Sequence, residues 1–345
     1  MIRAATREPD FSQLEKVLRK EKPSRTVLFE FIIGEEKKKI LIGQEYDTSS
    51  PLKKIITNAR AFDSAGYDFT PILIPGLEFP RKEDHHEGVQ TKSLNAGGMI
   101  SSWEELEQYH WPDLKNCSFS YIKEGANYLH PKAKWIAYSH DGILENAIGI
   151  IGYENLCYLI YDDYPLVETI FNEIGKRIHD YFLACLEYDD VGAIICNDDW
   201  GFNTQTLIAP EDLRKLVFPW YKKIVEAAHQ KNKYAILHSC GYYQDIITDI
   251  IENMKFDGRH SYEDSIVPVE QAYQDLHKKI AVLGGIDLNF LMRSTSEEVY
   301  LRAKDLVIAS KKWGGYALGT GNSVPDFIPN ENFLALLKAA FVDFD

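Results

Sequence analysis

Residues 234–241 read YAILHSCG. A short β-forming run ends in the polar tripeptide His238-Ser239-Cys240, and Gly241 then lets the chain turn away. Upstream, Pro210 opens a helix whose apolar face carries Leu213, Leu216, Val217, Ile224 and Ala228. Pro219 is expected to kink or split it. A helix feeding a strand that ends in polar residues is one βα unit, and the same unit recurs along the chain. Strands are expected at 26–33, 67–74, 135–139, 192–196, 234–238, 256–261, 280–283 and 316–319. Between two of them, Leu166, Ile170, Ile174, Ile178, Phe182 and Cys185 recur at three- and four-residue spacing behind Pro165. Ser102 with Glu105, and Thr295 with Glu298, have the spacing of capping boxes, and Pro329 starts the last helix. Eight strands alternating with helices predict an α/β fold, a TIM-type (β/α)8 barrel. With no linker or break in composition, it is expected as a single domain over 1–345 with an N-terminal helical extension.

Composition narrows the class of function. Asp and Glu number 52 against 38 Lys and Arg, a formal net charge of −14. Such a surface repels phosphate backbones and anionic lipids, so neither nucleic acid nor membrane is expected as a partner. The five cysteines are odd in number and irregularly spaced, which argues against a disulfide framework. Residues 1–10 are polar, and no run approaches the length of a membrane span, so a cytoplasmic location is expected.

In a barrel, functional side chains gather where strands end and loops begin. Those positions hold His140, Asp141 and Glu145; Asn197, Asp198 and Asp199; His238 and Cys240; His260 and Glu263; Gly284, Gly285 and Asp287; and Thr320, Gly321 and Asn322. Side chains alternate along a strand, so His238 and Cys240 point the same way and Ser239 points the other. An imidazole beside a thiolate suits Zn²⁺, and catalytic zinc takes three protein ligands with one position open. No second cysteine has the right placement, so a carboxylate is expected to complete the site. Glu145 is the first choice, Asp199 the second and Glu263 the third. Asp198, Asp199 and Glu263 are candidates to orient substrate or move a proton, with a helix cap as the plain alternative for Asp198. Gly285, Asp287, Gly321 and Asn322 are candidates to approach a bound cofactor. Aromatics near the strand ends (Trp200, Phe202, Tyr242, Tyr243 and Tyr262) would hold a flat ligand, and the polar stretch 79–94 reads as an active-site loop.

With these residues in view, the chain resembles the uroporphyrinogen decarboxylase superfamily, on its corrinoid-dependent methyltransferase side. The resemblance runs from about residue 97 to the end, through GGMISSWEELEQYHWPD (97–113), DDWGFNTQTLIAPEDLRKLVFPWYKKIVEAAH (198–229), LHSCG (237–241), GGID (284–287) and LGTGNSVPDFIPNEN (318–332). It implies that His238 and Cys240 bind zinc, because an H-x-C-G sequence at the fifth strand marks the cobamide-dependent methyltransferases, whereas the decarboxylases use no metal. Methyltransferases acting on a thiol carry a further cysteine after the eighth strand, where this chain has Thr320, Gly321 and Asn322. The arginine-rich N-terminal signature of the decarboxylases is not visible. The resemblance therefore implies zinc-dependent methyl transfer from a methoxylated, aromatic substrate to the cobalt(I) of a corrinoid-binding partner protein, the first step of O-demethylation. The alternatives it implies are a methylcobamide:thiol methyltransferase and a metal-free decarboxylase.

Overall fold

The computed structural model describes residues 7–81 and 98–342. Its centre is a parallel sheet of seven strands in sequence order: β1 (Phe69–Leu73), β2 (Lys134–Tyr138), β3 (Val191–Asn197), β4 (Tyr234–His238), β5 (Gly258–His260), β6 (Ala281–Leu283) and β7 (Tyr316–Ala317). Helices lie between successive strands, so the fold is α/β and TIM-like. The strands are buried on both faces, which is why they read as apolar runs with little alternation. The helix Tyr164–Leu186 buries Leu166, Ile170, Ile174, Ile178, Phe182 and Cys185, the face expected from spacing. Around Pro219 the chain passes from the turn Pro210–Asp212 through the π-helical Leu213–Val217 into the helix Phe218–Gln230. The Thr295–Glu298 capping box is present at the start of the helix Ser296–Lys311.

The departure from eight regular strands lies at 26–33. This segment is extended, but it meets the sheet only through isolated parallel bridges, Leu28 to Leu318 and Ile33 to Val324. On its other side stands β1, whose Pro71 has no N–H to give, and the Pro71 carbonyl is taken by Asn58 Nδ2 at 2.8 Å. Side chains rather than backbone close that seam, with the Phe29 and Phe69 rings 5.3 Å apart. The helix Phe11–Leu18 precedes the segment and packs five buried residues inward.

Residues 82–94 of the expected active-site loop, His85 and His86 among them, lie outside the described residues. Its start sits on the rim after β2, where Arg81 bonds Asn146 and pairs with Asp141, both at 2.7 Å. No helix among the described residues is long and apolar enough to cross a membrane.

Candidate metal centre

Parallel pairing sets Asn197, the last residue of β3, in register with His238, the last of β4, and His238 in register with His260, the last of β5. The site is built on these three adjacent strand ends. His238 and Cys240 turn to the same side, with His238 Nε2 3.8 Å from Cys240 Sγ. Ser239 faces away; its hydroxyl accepts from the Trp200 N–H, and its carbonyl accepts from Arg259. Gly241 turns the chain at φ +83°, and a Cβ there would lie 2.0 Å from the Gly201 carbonyl oxygen.

Asp199 completes a group with His238 and Cys240 whose possible ligand atoms all lie within 4.8 Å of one another. Asp199 Oδ1 also accepts from the Cys240 N–H at 2.7 Å, which ties the two strand ends together. Burial, with help from Arg259, lowers the His238 imidazole to about 3, so the ring is neutral and offers a lone pair. Burial and the neighbouring Asp199 push the Cys240 thiol well up, and burial raises Asp199. Two acids pressed together in a buried place disfavour each other's ionised form; a divalent cation between them reverses that sign. Two donors already aim at the sulfur, Asn322 Nδ2 at 3.1 Å and Ser261 Oγ at 3.6 Å. One imidazole nitrogen, one thiolate and one carboxylate form a donor set that fits Zn²⁺ and leaves its fourth position open.

The other sequence candidates fall into distinct places. Glu145 lies outside this group. Its carboxylate accepts from the Gly142 N–H at 3.3 Å at the start of the helix Ile143–Ile151, and burial with the nearby Asp199 and Asp198 holds it well above the usual carboxylate range. Asp198 is fully buried and accepts four hydrogen bonds: from Leu144 N–H, Glu145 N–H, Trp200 Nε1 and Tyr221 Oη, at 2.9–3.0 Å. It thus caps the helix that carries Glu145, and burial raises it to about 7. Glu263 accepts from the Gly241 N–H at 3.1 Å, beside Cys240. Asp287 caps the helix Leu288–Arg293 through the Phe290 N–H and accepts from the Asp264 N–H. Gly285 and Gly321 make backbone bonds within the same rim, to Thr320 O and Ile286 O. Asn322 alone of that set reaches the centre.

Among the aromatics, Trp200 bonds Asp198, while Tyr243 and Tyr262 stack on the buried Arg259 guanidinium at 3.8 and 4.8 Å. Only Phe202 and Tyr242 of the five are left turned outward. The ring against the centre is instead Phe31, 4.6 Å from the His238 ring and 4.9 Å from Tyr138. Phe31 also walls a cavity of about 590 Å³ at the open seam, lined further by Lys38, Lys54, Leu73, Tyr138 and His140. Sequence reading gives Phe31 no role, because its place depends on the seam between 26–33 and β1. Asn197 is named in that reading as a strand-end residue without a role; its Oδ1 is buried and has no partner among the described residues, on the sheet face shared with His238.

One solved structure shares this architecture. A methyltransferase from Methanosarcina mazei superposes with a TM-score of 0.69 at 15% identity, covering 95% of this chain and 97% of that one. A protein described as a vitamin-B12 independent methionine synthase from Listeria monocytogenes aligns at a TM-score of 0.47 and 12% identity, over 92% of this chain and 97% of the other. No curated protein sequence matches significantly. The family model of uroporphyrinogen decarboxylase (URO-D) matches residues 98–341, which hold β2 to β7 and all three members of the Asp199–His238–Cys240 group, and the chain belongs to that family.

Proposed function

We propose that the protein is a zinc-dependent methyltransferase that takes the methyl group of a methoxylated aromatic compound and passes it to the cobalt(I) of a corrinoid-binding partner protein. The observation that carries this reading is the convergence of Asp199, His238 and Cys240 at adjacent strand ends in a URO-D family chain. The M. mazei relative, itself a methyltransferase, supports it at the level of architecture. The reading prefers Asp199 to Glu145 as the third ligand.

Bound zinc would supply Lewis acidity toward the ether oxygen that leaves. The chain's own residues do the rest. Asn322 and Ser261 stabilise the Cys240 sulfur as an anion. Asp198 fixes the start of the helix Ile143–Ile151 and thereby the position of Glu145. Glu145, whose carboxyl burial and its acidic neighbours raise well above the usual range, would supply the proton that the departing oxygen takes up. The balance is simple: the ether C–O bond breaks, the methyl carbon goes to cobalt(I), and the oxygen takes up one proton. Phe31 and Tyr138 offer apolar ring contact beside the centre for the aryl group. The five free cysteines suit a reducing cytoplasm.

The test has two parts. Purified protein should hold one zinc per chain, and His238→Ala and Cys240→Ser should lose it. Mixed with a cobalt(I) corrinoid protein and a panel of methoxyarenes, the wild-type chain should convert the cobalt(I) spectrum to that of methylated cobalt. A zinc-free wild-type protein, or full activity in both variants, overturns the reading. Loss of methyl-cobalt to an added thiol, without any reaction of aryl ethers, would assign the thiol methyltransferase instead.

A further inference from the structure

His260 has no part in the ligand group, yet it lies against it. The residue is fully buried, and its ring centroid is 4.9 Å from that of His238. Its Nε2 is 3.0 Å from the Thr320 carbonyl oxygen, and its Nδ1 is 2.7 Å from His238 Nδ1. A carbonyl only accepts, so His260 Nε2 carries a hydrogen. The ring is fully buried and, among the described residues, bonds no anion that would hold a second hydrogen on it, which leaves Nδ1 bare. A bare Nδ1 at 2.7 Å requires a donor opposite, so His238 carries its single hydrogen on Nδ1. What remains is the lone pair on His238 Nε2, the atom that faces Cys240.

The end of this chain of bonds is itself fixed. Thr320 bonds the buried Glu30 carboxyl through both N–H and hydroxyl, at 2.7 and 2.9 Å. Gly284 makes room for the junction: a Cβ there would lie 2.2 Å from Thr320 O and 2.8 Å from His260 Cδ2. We propose that His260 is a positioning residue, which locks His238 in the tautomer whose bare Nε2 faces Cys240 and Asp199 and so sets the metal affinity of the centre. The part of this inference that concerns affinity rests on the zinc reading above; the part that concerns the tautomer does not.

The experiment separates the two. In the metal-free full-length chain with ¹⁵N-labelled histidine, two-bond ¹H–¹⁵N correlation spectra should show His238 protonated at Nδ1 and His260 protonated at Nε2. A His238 protonated at Nε2, or an even mixture, overturns the proposal. Zinc affinity is then read by competition with a chromophoric chelator. His260→Phe, which removes the acceptor, should weaken zinc by about 10- to 100-fold. His260→Asn places an amide oxygen near the lost Nδ1 and should recover most of the loss. It also guards against a Phe variant that does not fold. Equal affinity in wild type and a folded His260→Phe overturns the proposal. A wild-type chain that shows the expected tautomers but binds no zinc upholds the relay and overturns the zinc reading.

Discussion

Two rims of the same sheet invite comparison. The rim after β3 and β4 carries Asp198, Asp199, His238, Cys240 and Gly241; the rim after β6 and β7 carries Gly284, Gly285, Asp287, Thr320, Gly321 and Asn322. By residue type, both look fit to hold a ligand. The first presents His238 Nε2, Cys240 Sγ and an Asp199 oxygen to one another. The second uses nearly all its polar atoms on itself: Asp287 on a helix start, and Thr320 on Glu30, Gly285 and His260. Acids and glycines at strand ends therefore do not by themselves mark a site. What distinguishes a site is acceptor capacity left over after the framework has taken its share.

The sharpest form of this contrast lies in two adjacent residues. Asp198 accepts four donors and is fully buried, while the Asp199 carboxylate is bonded by the N–H and thiol of Cys240, its partner in the group. Replacing Asp198 by Ala leaves two helix N–H groups, an indole N–H and a tyrosine hydroxyl without their acceptor. This should cost about 3–5 kcal/mol in urea unfolding. Asp199→Asn should change stability by less than about 1 kcal/mol yet weaken zinc by more than about 100-fold. If the two variants showed the reverse, with Asp199 holding the fold and Asp198 the metal, the comparison between saturated and unsaturated acids would break.

Glu30 tests the second rim's self-sufficiency. The Thr320 hydroxyl has one hydrogen and stands 2.7 Å from Asn322 O and 2.9 Å from Glu30 Oε2. A protonated Glu30 resolves this, giving its hydrogen to Thr320 Oγ1 while the hydroxyl gives its own to Asn322. Burial raises Glu30 from 4.5 to about 8, in agreement. Because the folded value is the higher, its stabilising contribution is complete below about 4.5 and is lost as pH rises through about 8. The slope in that window is about 1.4 kcal/mol per pH unit for one proton. Glu30→Gln mimics the protonated carboxyl, with an amide N–H toward Thr320 Oγ1 and a carbonyl toward the Thr320 N–H. Thermal unfolding from pH 5 to pH 8 should therefore fall less steeply for Glu30→Gln than for wild type. Parallel curves would show that Glu30 is ionised throughout.

These contrasts also mark what the sequence could and could not reveal. β2, β3 and β4 were legible because strands buried on both faces must be apolar runs. The segment 26–33 reads equally well as a strand, but Pro71 and Asn58, far along the chain, deny it regular pairing with β1. The direction of His238 and Cys240 follows from alternation alone, and it holds. The choice among Glu145, Asp199 and Glu263 was not legible. Glu145 turns to the Gly142 N–H and Glu263 to the Gly241 N–H, while Asp199 meets His238 and Cys240, and local spacing does not encode that. His260 sits at a strand end like many others; its meaning comes from two nitrogens and a carbonyl contributed by three separate units.

Asp287 should show the smaller stability cost of an ordinary cap. Asp287→Ala removes the acceptor for the Phe290 and Asp264 N–H groups and should lose about 1–2 kcal/mol, with zinc affinity unchanged. A loss of zinc there would mean that the second rim is part of the site after all.

Asn322 is where the two rims meet, and it gives the finest test. It belongs to the second rim by sequence, yet its amide nitrogen stands 3.1 Å from Cys240 Sγ while its oxygen accepts the Ser323 N–H at 2.7 Å. The Ser323 bond fixes the amide so that the N–H points at the sulfur, and an N–H donor makes a thiolate less basic. Asn322→Ala should leave the fold intact and weaken zinc by only about fivefold, since a net hydrogen bond is worth about 1 kcal/mol. With cobalt(II) in place of zinc, the sulfur-to-metal charge-transfer band should move to lower energy, because the sulfur holds its electrons less tightly without the donor. An unmoved band would place Asn322 outside the centre and leave the two rims independent.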